Sequence, residues 1–462
     1  MNIELIRLGT VKTLSLSVAV AMSALPSITI AAQVSLSEDI AQATLQLNSL
    51  IESALTNDTS RSQFAAQSAA MRETAVATST LMDPKLKVGF GGLPVDSFKF
   101  DEDPMTNISV GIMQQFERGA TLDLNHRKAN QQADGVAFNI QARERDIANS
   151  VTQLWLELGY LQQSAKVIKQ NQQLMVELEN FVQTNYSIGN SEAQDLLNAQ
   201  LKVDKLDEKL QSNRQMQSRI VAQLSEWLGS QWLNSGISTQ ASYQLNWTRL
   251  DSIVSDHTSD TQFYSLLNQH PMARMADATI SANRTQVELA EQAYTPQFGV
   301  EVMYAYRQAD NMRGEPASDL LSAYLTLDIP LFTDNRQDKS LNSAQYQVGA
   351  SQYQKDAWLS QMNAQVNALM ADKVNLLERI ERFEQRLLPQ AQARIEAVER
   401  GYQNNTAQFG DVITAASDEL ALNIELIRLK TDLHQTYSKL ASLLGGFEYQ
   451  VDTPVHTYPQ QQ

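Results

Sequence analysis

The sequence predicts a mainly α-helical chain with a small membrane-type β component, built as an internal duplication. Three observations carry that expectation. Two helical stretches of about 65 residues are far longer than an ordinary globular helix. Each is preceded by a pair of segments of about ten residues that alternate apolar and polar. Both arrangements recur in the same order at a constant offset of 216 residues in a chain of 462.

The first element is residues 1–31, which read as a secretory signal peptide. Arg7 and Lys12 form the positive start, Leu14 to Leu25 the apolar run, and Thr29-Ile30-Ala31 the small-residue cleavage site. The apolar run is too short for a membrane anchor, which needs about 20 residues. No later segment is apolar enough for a transmembrane helix, so any membrane passage must be made by strands. The expected organisation is a first structural repeat over 32–245 (short helix, strand pair, helical hairpin), a second over 246–446, and a flexible C-terminal tail over 447–462.

Within the first repeat, Leu86, Val88 and Phe90 alternate with Lys85, Lys87 and Gly89, and Ile108, Val110 and Ile112 with Asn107, Ser109 and Gly111. A proline-free helix is predicted from Thr121 to Tyr186, with Ile147, Val151, Leu154, Leu158 and Leu161 at three- and four-residue spacing. Tyr186-Ser187-Ile188-Gly189-Asn190 breaks it, Gly189 being suited to a left-handed turn. A second helix runs from Ser191 to Leu228. In the second repeat the strand pair lies at Phe298–Tyr306 and Ala323–Ile329, and a long helix runs from Arg336 to Gly401, perturbed near Pro389. After a turn at Tyr402-Gln403-Asn404-Asn405, a last helix ends at Leu444. Residues 230–262, rich in Ser, Thr and Asn, are expected to wrap the helices near their middle.

Each strand has about the length that crosses a bilayer at a tilt. Four strands cannot close a barrel, and open sheet edges cannot face lipid. Closure therefore requires the chain to oligomerise if the strands span, and three copies would give an even number within the usual range: a trimeric 12-stranded outer-membrane β-barrel, four strands per chain, continuous with a long periplasmic α-helical barrel. Lys85, Lys87, Glu301 and Asp328 fall on the polar strand faces, where they would face a water-filled lumen.

Composition excludes several functions. The formal net charge of -16 argues against nucleic acid, whose phosphates demand clustered Lys and Arg. With no cysteine, disulfides, thiolate metal sites and a cysteine nucleophile are ruled out. His126, His257, His270, His434 and His456 share no metal-ligand spacing, and the methionines form no cluster. No phosphate loop, nucleophile elbow or zincin motif is present. The chain is expected to be no enzyme, with no cofactor, no catalytic residue and no metal site.

This order of elements resembles the TolC-like outer-membrane efflux factors. The more specific pieces are Tyr186-Ser187-Ile188-Gly189 with Asp195-Leu196-Leu197-Asn198-Ala199, and Tyr402 with Gly410-Asp411-Val412-Ile413-Thr414-Ala415. Asp83-Pro84-Lys85-Leu86, Gly92 to Phe98 and Asp103-Pro104-Met105-Thr106 resemble the branch associated with heavy-metal (CzcC/CusC-type) RND efflux. The resemblance implies a homotrimer in outer-membrane lipid, docked through a periplasmic adaptor protein to an inner-membrane RND-type pump. Such a channel is a passive exit duct, with metal ions among the candidate cargoes.

It also implies that Asp195 and Asp411 line a constriction at the periplasmic tip. Each lies nine residues past its turn tyrosine, a spacing read as two to three helical turns inside. Six carboxylates in a trimer would concentrate cations and repel anions. Tyr186 and Tyr402 are expected to pack between hairpins there. Thr414 and Ala407 stand where the family often has an aspartate and a bridging arginine. The competing reading is a periplasmic coiled-coil adaptor or structural rod without a channel. It accounts for the helical hairpins but not for four barrel-length strands.

Overall fold

The computed structural model describes residues 27–189, 191–236, 239–255, 263–404 and 406–454, with side chains described from residue 39. Most of the leader expected over 1–31 lies outside them. The chain opens with α1 (Ser27–Asn57) and α2 (Thr59–Thr78), then β1 (Lys85–Gly91), β2 (Asn107–Gln115), α3 (Thr121–Ser187) and α4 (Ala193–Leu228). The connecting segment carries α5 (Trp232–Ser235), α6 (Thr248–Ser255) and α7 (Tyr264–Leu267). Then come α8 (Pro271–Gln292), β3 (Gln297–Tyr306), β4 (Leu320–Asp328), α9 (Gln337–Arg382), α10 (Leu388–Gln403) and α11 (Phe409–Leu444).

The long helices repeat to the residue. Shifting α3 by 216 gives 337–403, the span from the start of α9 to the end of α10, and shifting α4 gives the bounds of α11. Their ends match too: Gly229 and Gly445 cap α4 and α11 with φ of 80° and 90°. Such positive φ is cheap for glycine. Along the rods themselves the repeats differ at one level. Residues Phe383–Leu387 form a wide π turn between α9 and α10, immediately ahead of Pro389. Proline lacks the N–H, and its ring collides with the carbonyl four residues back in a regular α-helix. Widening that turn lets the rod continue through the proline.

The four strands form one antiparallel sheet in the order β1-β2-β3-β4, so β2 and β3 join the two repeats. Leu86 pairs with Ile112, which pairs with Val302, which pairs with Ala323. All the apolar alternants therefore share one face. Among the described residues β1 bonds only β2 and β4 only β3, leaving two open edges. Among the described residues no helix is long and apolar enough to cross a membrane.

The largest core lies at mid-height of the helices. Ile147 to Leu158 of α3 and Leu359 to Val366 of α9 meet the ends of α4 and α11 there, with α1 alongside. The connecting segment wraps this level, burying Trp232, Leu245, Trp247, Leu250 and Val254 in the same core. All five tryptophans belong to it. Gly159 of α3 marks the closest approach: a Cβ there would lie 2.3 Å from the Ser242 carbonyl carbon.

The tail expected to be flexible over 447–462 requires correction for its first half. Phe447, Tyr449 and Val451 pack on the core, and Gln450 N–H donates to Glu52 Oε1 at 2.9 Å. Buried Arg61 donates to the Asp452 carbonyl at 2.8 Å while holding Glu144 and the Leu55 carbonyl. These contacts join α1, α2, α3 and the chain end, which the polar composition alone did not indicate. Residues 455–462 lie outside the described residues. The first repeat also carries two helices ahead of its strands, α1 and α2, where one was expected.

Candidate functional site

Two places hold the sequence-predicted residues: the hairpin tip of the helices and the polar face of the sheet. At the tip, α3 ends at Ser187, and Gly189 turns the chain with φ 77°, its N–H donating to the Tyr186 carbonyl at 3.0 Å. The second turn uses no left-handed residue among those described. It folds back on Gly401, whose carbonyl accepts from Thr406 N–H at 2.8 Å and Ala407 N–H at 3.1 Å. A Cβ on Gly401 would meet the Ala407 methyl at 2.9 Å, so glycine allows that reversal.

These turns use up more chain than the sequence suggested. Asp195 and Asp411 therefore stand in the first turns of α4 and α11, not two to three turns inside. Asp411 is the third helical residue and forms a capping box with Gln408, its Oδ2 accepting from the Gln408 N–H at 3.0 Å. A carboxylate there meets the positive end of the helix as well as an orphan donor. Asp195 holds the matching position behind Glu192, half-buried, with no capping box. Thr414 bonds back to the Gly410 carbonyl at 2.8 Å.

The two tyrosines differ. Tyr402 packs with Phe181 of α3 at 6.3 Å between ring centroids and with Phe409 of α11 at 5.9 Å. It completes a cluster with Val182, Ala199, Leu196 and Ile413. Tyr186, its repeat counterpart, stands 46% exposed. Phe181 and Phe409 were missed in the sequence. Their repeat counterparts are Ala397 and Ala193, so the duplication gave no aromatic signal at those positions.

On the sheet, Lys85, Lys87, Glu301 and Asp328 share the polar face by register. Lys87 Nζ reaches Glu301 at 2.6 Å, passing over Gly111 of β2. A Cβ at Gly111 would come within 2.9 Å of the Val302 carbonyl oxygen, so the bare backbone there lets β2 lie close against β3. Asp328 is held by Arg118, which also donates to the Thr295 carbonyl at 2.6 Å. It thus ties the foot of the sheet to the start of α3. Arg118 was missed in the sequence, where only its position just beyond β2 hinted at a role. Lys85 is exposed at the start of β1. Tip and sheet lie at opposite ends of α3, so the structure brings the candidates together as two groups.

Among the described residues no cluster of His, Asp and Glu could hold a metal ion. His270 is buried and His434 half-buried, and both serve as hydrogen-bond acceptors. His257 and His456 lie outside the described residues.

Residues 263–446, the greater part of the second repeat, match the family model described as Outer membrane efflux protein. No curated protein matches this chain. Several solved structures share the fold over most of its length. The outer membrane protein VceC from Vibrio cholerae matches at 17% identity and a TM-score of 0.69, over 87% of this chain and 96% of that one. CusC, described by its transmembrane channel formation, matches at 17% identity and 0.69, over 87% and 92%. The open state of the Neisseria gonorrhoeae MtrE outer membrane channel matches at 14% and 0.65, over 90% and 93%. The chain thus has the fold of outer-membrane channel subunits.

Proposed function

We propose that this chain is a subunit of a trimeric outer-membrane efflux channel, giving substrate a passive way from periplasm to exterior. The observation that carries the proposal is the four-stranded sheet. Its apolar face (Leu86, Val88, Val110, Val302, Leu325 and their neighbours) is 40–76% exposed, and both its edges are open. In water such a face and such edges are a liability. In a bilayer the face is solvated by lipid, and the edges are satisfied by joining copies into a closed barrel. Three copies give twelve strands, an even number within the range of such barrels. The rod-like adaptor reading leaves this sheet unexplained.

In this reading the helices form the periplasmic tunnel, and Lys85, Lys87, Glu301 and Asp328 face the barrel lumen. Asp195 and Asp411 ring the tip, where carboxylates favour cations at the entrance. Tripartite assembly, with a periplasmic adaptor and an inner-membrane RND-type pump supplying energy and selecting cargo, follows the family resemblance. Metal ions are one cargo class compatible with a cation-favouring tip.

The test is conductance of the detergent-purified protein in a planar bilayer, wild type against Asp195→Ala plus Asp411→Ala. Small cation-selective openings that widen or lose selectivity in the double variant support both duct and tip. Unchanged openings keep the duct and remove the two aspartates from the constriction. Protein that stays soluble without detergent and conducts nothing rejects the channel.

A further inference from the structure

Positions 216 residues apart hold equivalent places in the two helical hairpins, yet their burial differs at the tip. Tyr402 and Ile413 of the second repeat are partly buried against Phe181 and Val182 of the first. Their counterparts Tyr186 and Leu197 are 46% and 64% exposed. The counterparts of Phe181 and Val182 are Ala397 and Val398 on α10, a helix with no fully buried residue. Each repeat therefore leaves uncovered the half of a contact that the other half, repeated, would complete.

We infer that α10 of one copy, at Ala397 and Val398, seats Tyr186 and Leu197 of the next copy as an apolar latch at the tip. The inference rests on the reading of the chain as a ring-forming channel subunit. The contact is head-to-tail, the kind that closes into a ring when the rotation permits. Within one chain the two repeats already meet in this way.

The latch is the apolar end of an otherwise polar seam. Inside the chain, Ile395, Ala416, Leu420 and Ile424 pack against Ile168, Met175, Leu206 and Leu210. The counterparts of the first four are Glu179, Gln200, Asp204 and Glu208. Burying apolar surface favours the within-chain seam, while carboxylates resist desolvation between copies. The apolar contact between copies is thus concentrated at the tip.

Because the chain has no cysteine, a thiol pair reports unambiguously. Full-length protein carrying Tyr186→Cys and Ala397→Cys is treated in detergent with a short bis-maleimide. Covalent dimers and larger rings on a denaturing gel are expected. Phe181→Cys with Tyr402→Cys serves as the within-chain control and should remain at monomer mass. A second pair, Leu197→Cys with Val398→Cys, guards against a folding defect at either first site. Protein that is oligomeric by light scattering but gives no inter-copy product with either pair overturns the latch and leaves the channel reading intact. Protein that is monomeric by light scattering overturns both.

Discussion

Gly159→Ala is expected to destabilise the mid-height core, although a helix-interior glycine ordinarily gains about 1 kcal/mol on becoming alanine. The added Cβ would lie 2.3 Å from the Ser242 carbonyl carbon and 2.5 Å from both its oxygen and the Tyr243 nitrogen. Carbon contacts settle near 3.5–4.0 Å, so the connecting segment must retreat by about 1 Å or more. It is held where it is. Gln162, one turn along the same helix, donates to the Thr239 carbonyl and accepts from the Ala241 N–H, both at 2.8 Å. Overpacking of this kind costs about 1–3 kcal/mol. Loosening the two hydrogen bonds adds roughly 1 kcal/mol each. Less the propensity gain, the net loss is about 2–4 kcal/mol. Gly135→Ala on the same helix is the control: its Cβ would meet the Ala278 methyl at an ordinary 3.5 Å. That variant should be unchanged or up to about 1 kcal/mol more stable. Thermal unfolding of the full-length protein in detergent, followed by tryptophan emission, reads this core directly because all five tryptophans lie in it. Tryptic cleavage after exposed Arg249 should accelerate about tenfold or more in Gly159→Ala, following the population of the opened state. If both variants are stabilised alike, the account of how the segment is held is wrong.

Two further outcomes follow from charges. Burial pushes both His270 and His434 down to about 4, with nearby Arg145 and Lys430 respectively adding to the effect. Both rings accept hydrogen bonds at Nδ1, from Met272 N–H and from Trp247 Nε1–H. The unfolded chain binds protons near pH 6.5 and the folded one only near 4, so stability present above 6.5 is lost as pH falls through that window. The unfolding midpoint should drop between pH 6.5 and 4 and respond less in His434→Gln; a flat wild-type profile there would refute it. In the sheet, Lys87→Met leaves the Glu301 carboxylate without its 2.6 Å partner. Cation preference, read as a reversal potential under a salt gradient, should rise, and an unchanged value would place this pair outside the conducting path.

Much of this architecture is legible from local chemistry. The span of α3, predicted as Thr121 to Tyr186 and observed as Thr121–Ser187, follows from a proline-free run with apolar residues every three or four positions. The strands follow from strict alternation, though β1 is only seven residues long, and the stops at Gly229 and Gly445 from glycine's access to positive φ. The candidate site was less legible. Asp195 and Asp411 were identified as a pair, but their depth depends on how many residues each turn takes up. That depends on backbone reversals around Gly189 and Gly401 which no periodicity encodes.

Periodicity and turn chemistry, both short-range, thus determined from the sequence alone the long helices, the strands, their polar and apolar faces and the 216-residue repeat. Only the tertiary structure decided which surfaces meet. It placed Tyr402 between Phe181 and Phe409 and left Tyr186 exposed, although the two hold equivalent positions in the repeat. It also drew 447–454 onto the core through Arg61, 391 residues from its acceptor Asp452. Such contacts depend on packing between segments hundreds of residues apart, where the energy of a pair is set by what its neighbours exclude and not by its own place in the chain.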